Sequence, residues 1–370
     1  MESPAQTRMR AYLQLVATGP ELSKSLDRTQ ARDAMDMILN GEIDPVRSAL
    51  FLIALRMKRE TDDENLGILD SLTGRVKTAT ANFDDVIAVA DPFNGYLRSL
   101  PATPFLPAVL SACGLPAYIH GMHLAGPKYG MTASMILRAA GIRDQMPVDE
   151  VVKAMSDRNI GWGYLDQSQY IPTLHDLVGL RDTMVKRCCI STLEVVLKPI
   201  SGFRKTMLMT GFVHKAYPPV YHLLAKHAGF DAAMIVRGVE GGCIPSLSQV
   251  SRYFGYQSEE QLKMYKLSPS VIGIQQNERA VSIPDRLKPL MKKTAIDNTA
   301  VLDEVILNTV EKGMAALNDK PGPMKDSLVY AAAIVLKHLS KAENLISAAD
   351  MVRQAISSGS ALAKFEAMKN

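Results

Sequence analysis

Three short segments carry residue types that could handle an anionic ligand. The first is Val89-Ala90-Asp91-Pro92-Phe93-Asn94-Gly95-Tyr96, which follows an apolar run and precedes a helical stretch. A turn between a buried strand and a helix offers unpaired backbone N–H groups and the positive end of the helix dipole to a phosphate. Gly95 stands almost alone in this turn, so the backbone has one point of easy close approach. Asn94-Gly95 can cap an anion or simply reverse the chain. The second segment ends in His120-Gly121, where the imidazole can serve a ligand or satisfy a neighbouring carbonyl. The third is Arg237-Gly238-Val239-Glu240-Gly241-Gly242. Asp91, Asn94, Gly95, His120, Gly121, Arg187 and Glu240 are therefore the candidate ligand-binding residues, and no catalytic residue is singled out.

Parallel strands are the elements that would bring these segments together. Val86–Ala90, Ala117–His120 and Ala232–Arg237 are short apolar runs alternating with helical stretches, the pattern of βαβ units. Each ends in a glycine-bearing loop. In open parallel sheets ligands lie outside the carboxyl ends of the strands, so the three loops are expected to converge on one cleft. The first 80 residues read as helices only. Asp27-Arg28-Thr29-Gln30 forms a capping box for a helix carrying Ala31, Ala34, Met35 and Ile38, Asp44-Pro45 opens the next, and Thr61-Asp62-Asp63-Glu64 a third. Helices over Asp326–Leu339 and Ser347–Ser357 should flank the sheet. The predicted fold is α/β: a small all-helical domain over residues 1–83, joined by part of the middle region at about 145–195, and a larger domain over 84–370 with a mainly parallel central sheet flanked by helices. The polar, Pro-interrupted, basic span from Gln276 to Ala295 reads as a loop or irregular hairpin.

Several other residues have two readings. Arg181, Lys186 and Arg187 fall on one helix and its exit, with Arg181 off the face of the other two, a pattern of solvated charges. His214, Tyr217, Tyr221, His222, Lys226 and His227 can line a cleft or cover a core edge. Trp162 between two glycines can form a cleft wall or be buried. The methionines, 20 in all, read as core filling.

Composition narrows the class. With 370 residues, 47% of them hydrophobic, the chain can bury more than one core. A formal net charge of +4 permits a local basic patch without making the whole surface polycationic. Cys113, Cys188, Cys189 and Cys243 show no metal-binding spacing and read as reduced thiols of a cytoplasmic protein. The amino terminus has no long apolar region, and no stretch approaches the roughly 18 apolar residues of a spanning helix. Neither export nor a membrane partner is expected.

Taken together, the residues resemble the anthranilate phosphoribosyltransferase family. The likeness rests on Ile38-Leu39-Asn40-Gly41-Glu42, Ala54 to Thr61 and Glu64 in the amino-terminal helices. It continues through Asp326 to Ala332 and Ala355 to Leu362 near the end, and so runs in order through nearly the whole chain. The resemblance implies a helical domain plus an α/β domain of the nucleoside phosphorylase type, and dimerisation through the helices. The family's GTGGD loop, which takes pyrophosphate, corresponds to Asp91-Pro92-Phe93-Asn94-Gly95, with several glycines gone. Its KHGN motif corresponds to Ile119-His120-Gly121-Met122, where the lysine and the amide are lost. Its adjacent Asp-Glu pair for Mg²⁺ corresponds to Cys243-Ile244, so no magnesium is expected to be held there.

These departures, with Arg187 to Glu194, Lys198-Pro199, His214 and Tyr217, look more like a divergent non-tryptophan branch of that family, some of whose members are nucleic-acid-binding dimers. Two functions follow. One is glycosyl or phosphoribosyl transfer from a phosphosugar to an unknown acceptor, with degenerate phosphate and metal motifs. The other is a non-catalytic homodimer that binds DNA or RNA through Arg204, Lys205, Lys215, Arg237, Lys288, Lys292 and Lys293. A retired enzyme serving as a protein-interaction scaffold is a third possibility, and fold alone does not choose among them.

Overall fold

The computed structural model describes residues 2–19, 21–291 and 299–369. Four helices open the chain: α1 (Pro4–Val16), α2 (Arg28–Leu39), α3 (Pro45–Lys58) and α4 (Asp62–Thr73). Asp27 and Thr61 each accept a backbone N–H from the third residue of the helix they start, and Gln30 and Glu64 return the bond, so both capping boxes form as their spacing predicts. α2 lies against α4 at Gly67, where a Cβ would fall 2.2 Å from the Arg28 carbonyl oxygen. A side chain at Gly67 would force the helices apart. Two later segments pack on this bundle: the helix Val178–Met184 against α3, and the helix Tyr217–His227 against α4.

The larger part is built on a seven-stranded sheet. Its members are β2 (Asp85–Ala90), β3 (Ala117–Gly121), β4 (Trp162–Asp166), β6 (Lys205–Gly211), β7 (Ala232–Val236), β8 (Ser251–Gln257) and β9 (Lys263–Leu267); β1 (Ala79–Thr80) and β5 (Ile200–Ser201) form a separate parallel pair. The order is β4-β3-β2-β6-β7-β8-β9, parallel from β4 through β7 and antiparallel at β8 and β9. β2 lies at the centre, with Ile87 opposite Ala117 on one side and Met207 on the other. It is buried on both faces, which is why Val86-Ile87-Ala88-Val89-Ala90 is a continuous apolar run with no alternation.

The three strands expected from sequence are present and parallel. β4 falls inside the segment assigned to the helical domain, so that segment divides: Trp162–Asp166 joins the sheet and Val178–Met184 packs on the bundle. β6, Lys-Thr-Met-Leu-Met-Thr-Gly, and the β8–β9 hairpin went unrecognised. The carboxy-terminal helices run Pro323–His338 and Leu345–Ser357, with Ser360–Ala367 beyond them. Trp162 is fully buried, stacked on Phe365 at 5.4 Å and donating its indole N–H to the Lys364 carbonyl. It forms no part of the cleft wall.

Candidate functional site

The loops leaving β2, β3, β6 and β7 lie at one end of the sheet, as parallel topology requires, and the helix Tyr217–His227 that follows β6 packs on the bundle. The turn after β2 does not present its amides outward. Gly95 N–H donates to Pro92, Tyr96 N–H to Met131, and Gly130 N–H to Asn94, so the turn is stitched to the segment Gly130-Met131. Gly95 sits at φ 70°, and a Cβ on it would lie 2.4 Å from the Met131 carbonyl oxygen. The glycine is therefore explained by chain packing.

Asp91 points inward. Its Oδ1 accepts the Cys243 N–H at 3.0 Å, and burial pushes its carboxyl above the ordinary range. The Cys243 thiol, itself pushed up by burial, donates to the carbonyls of Ala90 and Met209 and so ties the ends of β2 and β6 together. A magnesium ion wants several hard oxygen ligands. Here Cys243 and Ile244 supply none, Asp91 is already engaged, and among the described residues no group of three or more potential ligands converges. The residues do not fit the metal.

His120 is also enclosed. It is 1% exposed, and Phe93, Tyr118 and Tyr170 pack around its ring, Phe93 edge-on at 5.6 Å. Nδ1 lies 3.2 Å from the Tyr170 hydroxyl, and burial lowers its pKa from 6.5 to about 3. Gly121 beside it has room for a side chain.

Charge gathers in two places. Glu240, at the start of the loop after β7, extends a side chain only 7% exposed into the segment after β2. Its carboxylate accepts the N–H groups of Leu97 (3.1 Å) and Arg98 (2.8 Å) and the hydroxyl of Ser99 (2.9 Å), and pairs with Lys128 Nζ at 2.8 Å. Burial opposes that charge, but Lys128 and the two amides outweigh it and hold the carboxyl below its usual range. Lys128, from Gly126-Pro127-Lys128-Tyr129-Gly130, was not singled out from sequence; a lone lysine between glycines next to a strand-end loop was the available signal.

The second place is the crevice where α3 of the bundle faces the turn after β2. Arg187 reaches Asn94, whose amide oxygen accepts from Nε and Nη2 at 3.0 Å each once the amide is oriented by its hydrogen bonds. Partial enclosure, and Arg56 of α3 as a neighbouring cation, hold the Arg187 pKa below its ordinary value, while the Tyr217 and Tyr221 phenols raise it. Arg56 itself lies 3.6 Å from the Glu60 carboxylate. Of the seven candidates, Asn94 and Arg187 meet here, Asp91, Gly95 and Glu240 serve the loops behind, and His120 and Gly121 lie inside. Arg181 differs from the solvated charge expected: it is buried, with a two-pronged ion pair to Glu194 at 2.7 and 2.8 Å.

The proposed nucleic-acid residues are not brought together. Arg204 and Lys205 are exposed at the amino end of β6, whereas Lys215 and Arg237 are exposed beyond the carboxyl ends of β6 and β7. A seven-residue strand separates the two groups by about 20 Å. Lys288 pairs with Asp285, and Lys292 and Lys293 lie outside the described residues.

Comparison with known proteins shows what the chain is similar to. Residues 10–73 match the helical bundle domain of a glycosyl transferase family. Over 359 residues, covering 96% of both chains, the sequence is 25% identical to the anthranilate phosphoribosyltransferase of Rhodopseudomonas palustris strain HaA2. Along nearly its whole length the chain is similar to the anthranilate phosphoribosyltransferases. A Clostridium kluyveri member is 24% identical over 347 residues, covering 94% of this chain and 96% of its own. The Saccharomyces cerevisiae enzyme, solved in complex with phosphoribosyl pyrophosphate and Mg, superposes with a TM-score of 0.74 at 17% identity, over 99% of this chain and 97% of that one. Family members with the transferase name thus share this fold from end to end. The departures at Asp91–Gly95 and Cys243-Ile244 fall inside that shared frame.

Proposed function

We propose that this protein binds a phosphosugar or another anionic small molecule in the crevice between α3 and the turn after β2, with Arg187, oriented by Asn94, as its principal cation. One observation carries the reading: the guanidinium is fixed by a neutral amide beside a second cation, and among the described residues no carboxylate pairs with it. Transfer of a glycosyl or phosphoribosyl group to an acceptor other than anthranilate is the reaction the lineage favours. Magnesium-dependent transfer from phosphoribosyl pyrophosphate to anthranilate is expected to be absent or very weak, because the metal carboxylates are replaced and the phosphate turn is turned inward. The replaced carboxylates support a reading of the chain as a divergent non-tryptophan member, with a helical domain over 1–83 joined by part of the region at about 145–195, and an α/β domain over 84–370.

The test is titration of the purified protein with phosphoribosyl pyrophosphate and simpler phosphosugars, without metal. Binding by the wild type that falls at least tenfold in Arg187→Ala supports the reading. Robust anthranilate turnover abolished by a chelator would overturn it.

A second reading, the nucleic-acid-binding homodimer, is favoured by one feature of the bundle. Val46, Leu50 and Met57 on α3 are 76%, 48% and 78% exposed at helical spacing, an apolar stripe that a second copy would cover. Pairing there would bring two crevices, with Lys215 and Arg237 at each mouth, into one assembly. Among the described residues no helix is long and apolar enough to cross a membrane.

A further inference from the structure

The Glu240 carboxylate is held as a bound anion would be held. Two consecutive backbone N–H groups, Leu97 and Arg98, converge on it with the Ser99 hydroxyl and the Lys128 ammonium, all between 2.8 and 3.1 Å. Four donors from one turn and one lysine, closing on a single pair of oxygens, make a receptor for a tetrahedral oxyanion as readily as for a carboxylate. The residue that fills it does so from an unfavourable backbone. Glu240 sits at φ 54°, in the left-handed region that side-chain-bearing residues rarely adopt. The surroundings carry more positive than negative charge: Arg98 and Arg187 both act on Lys128, and Glu240 is the acid that offsets them.

We infer that Leu97 N–H, Arg98 N–H, Ser99 Oγ and Lys128 Nζ form a phosphoryl-binding cradle, and that Glu240 is an internal ligand occupying it. The cradle takes a phosphate or pyrophosphate group only when the Glu240 arm leaves. In the wild type it is closed, and a ligand in the crevice is held by Arg187 alone. The inference shares with the proposed function only the class of ligand; the cradle stands on its own donors.

The two are separable by experiment. Glu240→Gly removes the arm and suits the left-handed backbone; Glu240→Asn shortens and neutralises the arm and is also tolerated in that backbone region. Both are titrated calorimetrically with inorganic pyrophosphate and with inorganic phosphate in the absence of metal. The expected result is pyrophosphate binding at least roughly tenfold tighter than in the wild type. Lys128→Met in the Glu240→Gly background should abolish the gain. If Glu240→Gly fails to fold, Glu240→Asn decides. Folded variants that bind pyrophosphate no better than the wild type overturn the inference, as does a gain that survives Lys128→Met. A wild type that loses its phosphosugar on Arg187→Ala while Glu240→Gly gains nothing would leave the proposed function standing and remove the cradle. A gain in Glu240→Gly with no wild-type phosphosugar binding would do the reverse.

Discussion

The loops behind β2 and β7 and the crevice beside α3 are adjacent, yet they treat charge in opposite ways. Behind the strands, Glu240 meets a lysine, two amides and a hydroxyl, and Asp91 meets the Cys243 amide. In the crevice, Arg187 meets a neutral amide and another arginine. A buried charge is tolerated only when it is paired and hydrogen-bonded, so the first arrangement is what an interior requires. The second leaves attraction unspent and is stable because solvent, or a ligand, can reach it. Residues that look alike in sequence thus separate into architecture and candidate recognition by whether their partners are already present.

Arg181 and Arg187 give the sharpest test, being six residues apart and opposite in kind. Burial works against the Arg181 charge, and the Glu194 carboxylate outweighs it, keeping the guanidinium above its ordinary pKa. Arg181→Ala would leave Glu194 buried with only Gln167 as a side-chain partner, and should cost about 3–5 kcal/mol in a urea titration. Arg187→Ala, exposed along much of its length, should change stability by less than about 0.5 kcal/mol while weakening anion binding. Equal losses of stability in the two variants would erase the distinction.

Much of the frame was legible because it depends on local rules. The capping boxes at Asp27 and Thr61 and the apolar runs of β2, β3 and β7 announce themselves by spacing alone. β6 was hidden because Met207, Leu208 and Met209 have no strong β preference and are strands only through their neighbours. The site was less legible. Asn94 and Arg187 were both named as candidates, but nothing local says that a residue after β2 meets one 93 positions later. Lys128 went unnamed because it gains its meaning from a partner distant in sequence, Glu240. Arg181 misled for the same reason, since Glu194 is what takes it out of solvent.

His120 tests the comparison at a neutral group. It is sealed among aromatic rings, its Nε2 has no partner among the described residues, and burial lowers its pKa from 6.5 to about 3. The unfolded chain therefore binds a proton that the folded one refuses. This contribution to stability is fully present above pH 6.5 and is lost progressively as pH falls from there toward 3. The slope is about 1.4 kcal/mol per unit, or about 2 kcal/mol at pH 5. His120→Phe should flatten that part of the stability profile, measured by urea titration at a series of pH values. An unchanged slope between pH 6.5 and 5 would mean that the imidazole is reached by water and belongs with the crevice.

The smallest effects are expected at the surface cations, and they discriminate between the two proposed functions. Arg204 makes only a loose 3.7 Å contact with Asp84, both strongly exposed, and stands with Lys205 at the end of the sheet away from the crevice. If a polyanion binds at the crevice mouth, Arg204→Ala with Lys205→Ala should leave its affinity unchanged. Lys215→Ala with Arg237→Ala should lower the affinity and reduce the slope of log K against log salt by roughly 0.7–0.9 for each phosphate that is no longer neutralised. The measurement is a gel-shift series on DNA and RNA over a range of salt. A slope that responds to Arg204 and Lys205 instead would move the binding surface to the far end of β6. No binding at low salt by any of the proteins would remove the polyanion reading and leave the crevice to a small anionic ligand.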